Sequence, residues 1–509
     1  MKRNILQLLC ATGLFILLPV ACNDLLHQEP QGEWTAKDNK SGSHASDVFT
    51  MYAKVRGFHV TTGNTALAVH NVRCEDIEKG STATDGVAWA PMFDDFNYSA
   101  AQSMLQTYWT ENYAIVHIAN KVLAAIEEAG SEEQLSEGDL FNKGEAHFYR
   151  AFIYFNLVRA FGEVPLIDFP LTDAVQANVA KSPVDKIYEL IDADLTAAAQ
   201  LLPPRWDAVF TGRLTWGAAK SLHAKTYMQR NNWTTMHALA KEVIDAGIYD
   251  LNTPFNKVFR EDGENCSESI WELQCTATPT LPGSNDIGSQ YAAVQGCRGA
   301  GDWNLGWGQH TPTQILADAF EPGDPRKDET LLYFLKASDD PATCPANAPW
   351  GEKPIANDLV INPYYNKKAY TNPALRAEFT KGGYWVNVRM IRYSDVLLMA
   401  AEAANELNYN APALDYLEQV RSRARGGNPA VLPAVTTTDQ NELRNKIRHE
   451  RRIELAMEWD RFYDLVRWGT APQVLGAAGK SYLPKHQYLP LPQAEVDKSN
   501  GVLIQNPNY

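Results

Sequence analysis

The stretch Gly144-Glu145-Ala146-His147-Phe148-Tyr149-Arg150-Ala151-Phe152-Ile153-Tyr154 has an echo 73 residues later, Gly217-Ala218-Ala219-Lys220-Ser221-Leu222-His223-Ala224-Lys225-Thr226-Tyr227. Glycine, two alanines and tyrosine keep their places: Gly144 and Gly217, Ala146 and Ala219, Ala151 and Ala224, Tyr154 and Tyr227. Small residues at such positions let neighbouring helices approach closely, and the tyrosine fills the next gap. Self-similarity of this kind marks stacked helical hairpins.

Working outward, the helical pieces come in pairs. Ile115, Ile118, Val122 and Ile126 recur at helical spacing and stop at Gly130, a C-terminal signal. The next run, Ser136 to Phe161, ends at Gly162 with Pro165 beyond, and Val184 to Leu202 is closed by Pro203-Pro204. Thr215 to Arg230 and Trp233 to Ala246 form a hairpin that stops at Gly247. Tyr393 to Leu407 and Ala413 to Arg425 form another, and Asn441 to Trp468 reads as one long charged helix. Along it, Ile453, Ala456, Trp459, Tyr463 and Val466 form an apolar stripe, while Glu450, Arg451, Glu454, Arg461 and Asp464 are placed to pair around it. Such alternating charge points to an ion-pair network rather than an active site.

Between these blocks the texture changes to Pro, Gly, Asn and Trp, with Gly283, Gly288, Gly296, Gly299, Gly301, Gly306 and Gly308 as punctuation. The region is too long for an ordinary connection, and long irregular loops on a rigid scaffold are where binding residues tend to sit. The expected organisation is therefore a helical region over 41–250, a loop-rich insertion over 251–390 and a second helical region over 391–509.

Ahead of these lies a basic Lys2-Arg3, then an apolar run from Ile5 to Val20 that ends at Ala21-Cys22. That pattern describes a secretory signal over 1–21. Leu17-Leu18-Pro19-Val20-Ala21-Cys22 looks like a bacterial lipobox, which makes Cys22 the lipidated first residue and 22–40 a tether. The whole chain of 509 residues carries 46 basic and 61 acidic side chains, a net charge of −15, and removal of Lys2 and Arg3 with the signal leaves −17. An acidic body without a basic footprint argues against nucleic acid as a partner. Of 7 cysteines, Cys74, Cys266, Cys275, Cys297 and Cys344 fall in the body. An odd number cannot all pair, Cys266 and Cys275 are near enough for a loop disulfide, and the lack of a CxxC argues against structural zinc.

The C-terminal third carries a resemblance to a known family. Arg392-Tyr393-Ser394-Asp395-Val396-Leu397-Leu398-Met399-Ala400-Ala401-Glu402-Ala403 resembles the RYADVLLMYAEA signature of the SusD/RagB family. Val420 to Ala424 resembles its VRxRA turn, Ile447 to Glu458 its IRxERRxELAxE helix and Arg461 to Trp468 its RxxDLxRW ending. Tyr488 to Pro492 and Gln505-Asn506-Pro507-Asn508-Tyr509 resemble the PIPxxE and QNPGY tail, with Asn508 in place of the usual glycine. The resemblance implies a mainly α fold: a right-handed superhelix of tetratricopeptide-like helix pairs with an irregular, loop-rich insertion packed on it. It further implies an outer-membrane, cell-surface lipoprotein that captures nutrients, usually glycans, and closes over a TonB-dependent SusC-like transporter.

A sugar ring offers one apolar face and a rim of hydroxyls, so a glycan site needs flat aromatic platforms flanked by amides, carboxylates or guanidinium groups. Gly301 to His310 supplies the best local match, with Asp302, Trp303, Asn304 and Trp307 interleaved among glycines. Arg73 and Trp89, in the loop before the first long helix, are added because relatives place sugar-binding residues there. Tyr291 and Trp350 are lesser candidates, and Tyr364-Tyr365 reads equally as strand. No HExxH, GxSxG or Walker A sequence occurs, and adjacent Asp94-Asp95 does not establish the separation a glycosidase needs, so no enzyme, cofactor or metal is expected. The competing reading is a transporter lid or scaffold, or a peptide-binding lipoprotein, with no glycan affinity. Rings open to solvent favour capture; Trp89, Trp303 and Trp307 buried at the junction favour the lid.

Overall fold

A computed structural model describes residues 40–173 and 175–509, so the signal, Cys22 and nearly all of the tether lie outside the described residues. The chain is mainly helical. Its longer helices are α1 (Ala45–Val55), α2 (Asn64–His70), α3 (Ser103–Ala129), α4 (Glu137–Phe161), α5 (Val184–Leu201), α6 (Trp216–Gln229), α7 (Trp233–Asp245), α8 (Tyr393–Glu406), α9 (Asn410–Arg425), α10 (Gln440–Glu454) and α11 (Arg461–Arg467). Each of α3 to α8 packs against the next, and α8 also bears on α9 and α10. The stack therefore runs from α7 straight to α8 across everything between residues 246 and 392.

Local chemistry sets the ends of these helices. Ser136 caps α4 by accepting the Asp139 amide at 3.1 Å, and α4 stops where Gly162 takes φ = 76°, a conformation open to glycine. Almost every residue of α4 and α8 is buried, as expected of helices with neighbours all round. The repeated glycine does one job twice. A Cβ on Gly144 would meet Leu201 and Leu202 at the end of α5 at 3.0–3.1 Å, and one on Gly217 would lie 2.2 Å from the Tyr249 hydroxyl. In each case the missing side chain admits a residue at or just beyond the end of the next helix.

Short two-stranded ladders join β1 (Ile77–Gly80), which lies between α2 and α3, and five strands between α7 and α8: β2 (Ser269–Leu273), β3 (Gln309–Pro312), β4 (Leu331–Tyr333), β5 (Tyr364–Asn366) and β6 (Val388–Arg392). Antiparallel β2 and β6, with Leu273 opposite Val388, bring the two ends of the insertion side by side. Antiparallel β1 and β3, with Ile77 opposite Pro312, tie the segment before α3 to the insertion. Tyr364 and Tyr365 are strand residues of β5, paired to β4.

The expected long helix from Asn441 to Trp468 is in fact two. The chain breaks after Glu454, and Met457 and Trp459 adopt φ values of 70° and 76°, costly for side chains of this size. The break is held from both sides of Trp459. Glu458 accepts Arg392 at 2.8 Å and Lys368 at 2.6 Å, while Asp460 accepts Lys225 at 2.5 Å and Arg159 at 3.0 Å. Ile453, Ala456 and Tyr463 are buried, but on α10, in the break and on α11 in turn rather than along one continuous stripe.

The charges of α10 do form the expected network, and it is buried. Glu454 accepts Arg423 at 2.6 Å, Arg392 at 2.9 Å and Arg326 at 3.0 Å. Arg326 also reaches Glu450 and Asp324, Arg421 reaches Glu450, and Glu268 joins Arg392 to Arg423. The network thus clasps the start of β2, the middle of the insertion, the end of β6, α9 and α10. The five cysteines of the body are free thiols. The extended strand β2 separates Cys266 from Cys275, whose thiol burial pushes up to about 12.

Removing one partner of a buried ion pair typically costs about 3–5 kcal/mol. Glu454→Gln is therefore expected to lower the unfolding free energy by roughly that amount in urea titrations at neutral pH; a change below about 1 kcal/mol would show that the cluster is not a clasp. The pH dependence follows from the same groups. Burial opposes ionisation of Glu454 and Asp460, but Arg423, Arg392 and Arg326 around the first, and Lys225, Arg159 and Arg451 around the second, hold both carboxyls well below the usual range. A depressed acid contributes stability that is complete above its unfolded pKa and is lost as pH falls toward its folded one. Thermal scans should thus show the steepest loss below about pH 4; a midpoint unchanged from pH 6 to 3 would contradict this.

Candidate functional site

The sequence candidates separate into buried and open groups. Arg73 is fully buried: it donates to the Tyr98 hydroxyl at 2.7 Å and to the carbonyls of His486 and Gln487 at 2.9 and 3.1 Å, with its guanidinium 4.0 Å from the Phe462 ring centre. It fastens the C-terminal tail and presents nothing to a ligand in this conformation. Trp89 is also buried, stacked on His310 at 5.4 Å. Burial takes the His310 imidazole down to about 3, so the stack is between two neutral rings. Tyr291 lies against Trp459 at 6.1 Å, its hydroxyl pushed up to about 12 by burial. In this structure all three residues are buried at the junction rather than open to solvent. Asp94 is likewise engaged, by Lys480 and the Lys79 amide.

The open group centres on a tight hairpin at residues 297–308. The amides of Leu305 and Gly306 both reach the Cys297 carbonyl, at 2.9 and 3.1 Å, and the Ala300 amide reaches Ile355 at 3.1 Å. The backbone folds so closely that a Cβ on Gly299 would lie 2.0 Å from the Trp303 carbonyl oxygen, which is why glycine stands there. Trp303 and Trp307 leave this hairpin toward different neighbours. Trp303, half-buried, rests on a small core that includes Leu332, Phe334, Tyr365 and Tyr370. Trp307 is 39% exposed and meets Phe58 edge-on at 6.0 Å.

Around Trp303 the insertion assembles a continuous shelf. The Arg376 guanidinium stands 6.0 Å from the Trp303 ring centre and 5.0 Å from that of Tyr370, within cation–π range. Its Nη2 donates to Glu352 Oε1 at 2.7 Å, and the Tyr370 hydroxyl donates to the same oxygen at 3.2 Å. Buried Nη1 has no hydrogen-bond partner among the described residues and faces a surround of rings. Trp350, 39% exposed, completes the row 6.3 Å from Tyr370. Beside Trp303, Asp302 is fully exposed and accepts Lys381 at 3.0 Å, and Asn304 is exposed.

Two partly exposed tryptophans are thus linked through Tyr370 and Arg376, which are themselves buried, and both pairs, Arg376 with Glu352 and Lys381 with Asp302, cancel in charge. Such a surface offers flat apolar faces and fixed polar atoms without a net field. Sequence reasoning found Trp303, Asp302 and Asn304 and gave Trp350 a lesser place, but missed Arg376, Glu352, Tyr370 and Lys381. Nothing local marks these four; they meet only because separate loops of one insertion converge. Among the described residues no group of three or more His, Cys, Asp or Glu side chains is placed to hold a metal ion, and no helix is long and apolar enough to cross a membrane.

Comparison with known proteins bears on the whole chain. The family model described as SusD family matches residues 267–483, and that described as starch-binding, associating with outer membrane, matches residues 37–228. A SusD-like protein of Formosa agariphila is 29% identical over 435 residues, covering 82% of this chain and 83% of its own. A solved structure named as a laminarin-binding SusD-like protein superposes with a TM-score of 0.74 at 26% identity, covering 92% of this chain and 99% of its own. Surface glycan-binding protein A from Bacteroides fluxus superposes with a TM-score of 0.73 at 25% identity, over 92% and 99% of the two chains. With its helical stack, its clasped insertion and two matches that together span most of its length, the chain belongs to the SusD/RagB family.

Proposed function

We propose that this chain is a non-catalytic, surface-anchored lipoprotein that captures a neutral glycan on the Trp303–Arg376–Tyr370–Trp350 shelf and delivers it to a TonB-dependent SusC-like transporter. The observation that carries the reading is that shelf: two partly open indole rings flank a guanidinium and a carboxylate whose positions are already fixed. Preorganised polar groups beside flat apolar faces suit a ligand with hydroxyl rims and C–H faces. Glycan capture is supported by the structural relatives named for laminarin and surface glycan binding, and an outer-membrane location by the description of the matching family.

Charge narrows the ligand class. The shelf's ion pairs cancel, and the chain as a whole carries −15. Sulfated or uronate-rich polymers would meet repulsion without a compensating basic patch, whereas neutral glucans would not. The lid or peptide-carrier reading requires the aromatic rings to be withdrawn into the junction. Of the three rings that decide between the readings, Trp89 is withdrawn, Trp303 is half-buried and Trp307 is open.

In calorimetric titrations of the lipid-free chain from Asn23 onward against neutral and acidic polysaccharides, laminarin first, a neutral glycan should bind with little sensitivity to sodium chloride. Trp303→Ala and Trp350→Ala should each weaken it by about 2 kcal/mol, roughly 30-fold, without unfolding the protein. Wild-type affinity in both variants would remove the shelf from the binding site. The anchor has its own test: Cys22→Ser should abolish lipid labelling and release the chain from the outer-membrane fraction, and undiminished surface labelling of that variant would refute lipidation at Cys22.

A further inference from the structure

Trp307 does not belong to the shelf; it packs edge-on against Phe58, and Phe58 lines a hollow of about 620 Å³ between α1, the turn that follows it, α3 and residues 285–286. This volume lies within the range of small-molecule sites. Its lining includes Phe49, Lys54, Phe58, His59, Glu111 and Asp286. The turn Phe58–Thr62 is π-helical, closed by the Gly63 amide on the Phe58 carbonyl at 3.0 Å, a widened geometry found often at functional sites. A Cβ on Gly63 would fall 2.0 Å from the Phe58 ring, so that ring lies directly on the glycine and is fixed there. Phe49 and Trp307 are 42% and 39% exposed, large apolar faces that a chain with a well-filled interior leaves in water.

The polar part of the rim is preformed as well. His59 Nδ1 is 3.0 Å from the Thr65 hydroxyl, and burial lowers the ring's pKa, which keeps it neutral with Nε2 as its second polar atom. Lys54 pairs with Glu111 at 3.5 Å. Arg56, just beyond, donates to the backbone carbonyls of Gln274 and Asp286 and so pins the 285–286 segment that closes the hollow. Aromatic faces, a neutral imidazole, an amide at Asn285 and a carboxylate–ammonium pair repeat the chemistry of the shelf with different residues.

We propose that this hollow is a second glycan platform, engaging another stretch of the same neutral polymer that the shelf holds. The proposal rests on the capture reading. Trp303 and Trp307 are four residues apart, so their backbone positions lie at most about 14 Å from each other. One polysaccharide chain leaving the shelf can reach the hollow within a few sugar units, and two modest contacts on one polymer add as avidity. The chain would then discriminate by length, favouring polysaccharide over short oligosaccharide.

The test is calorimetry on the lipid-free chain from Asn23 onward with laminarin, or whichever neutral polysaccharide of the panel binds, alongside its tri- and hexasaccharides. The variants are Trp303→Ala and the double variant Phe49→Ala/Trp307→Ala, each checked by circular dichroism. The expected result is that the double variant loses roughly tenfold or more in affinity for the polymer but less than about twofold for the trisaccharide, whereas Trp303→Ala weakens both. A double variant that binds polymer like the wild type would overturn the second platform while leaving capture at the shelf intact. Equal loss for polymer and trisaccharide in the double variant, with Trp303→Ala silent, would overturn the two-platform arrangement by making the hollow the sole site. If no neutral glycan binds the wild type, the capture reading fails and this inference falls with it.

Discussion

The buried carboxylate of Glu454 is the constraint on which the rest of the architecture depends. It sits at the end of α10 among Arg326, Arg392 and Arg423, with no water-exposed side to relax into. A charge so placed is stable only while all its partners are present, and a fragment of the cluster would be worse than an apolar core. Because the partners come from the insertion, from the end of β6 and from α9, the ions favour one relative arrangement of those segments over others. Hydrophobic burial holds the helices together, but it is non-directional; the ion cluster supplies the register between stack and insertion.

That register makes a loop-built binding surface possible. The insertion between α7 and α8 contains little regular structure, yet it is tied at its ends by β2 and β6, along its length by β1 with β3 and β4 with β5, and at its centre by Arg326. Loops so restrained can hold Trp303, Tyr370, Arg376 and Glu352 in place before any ligand arrives. Less ordering is then left for binding, which is what preorganisation means energetically. The buried candidates have structural partners instead: Arg73 holds Tyr98 and the His486 carbonyl, Trp89 stacks on His310 and Tyr291 lies against Trp459.

The fold was largely legible in the sequence because helical periodicity, terminal glycines and prolines, and the Gly144/Gly217 repeat all act locally. The exception, Asn441 to Trp468, failed for a non-local reason. Its composition is strongly helical, whereas the break at left-handed Met457 and Trp459 is held by distant partners, Arg392 and Lys368 on Glu458 and Lys225 and Arg159 on Asp460. The site was legible in part. Trp303, Asp302 and Asn304 sit in one glycine-rich stretch and declare themselves; Glu352, Tyr370, Arg376 and Lys381 lie scattered over 352–381 with no spacing rule to join them. Residue type alone likewise could not separate Trp89, sealed against His310, from Trp350, open to solvent.

The central claim is that ligand contacts the converging loops of the insertion and not the buried helices α4 and α8. Hydrogen–deuterium exchange of the lipid-free chain, with and without a saturating neutral polysaccharide, addresses this directly. The account predicts new protection at residues 297–308 and 348–381, with the amides of α4 and α8 unchanged because they are already buried in the stack. Protection appearing instead in the helical stack, with residues 297–308 and 348–381 unaltered, would contradict it.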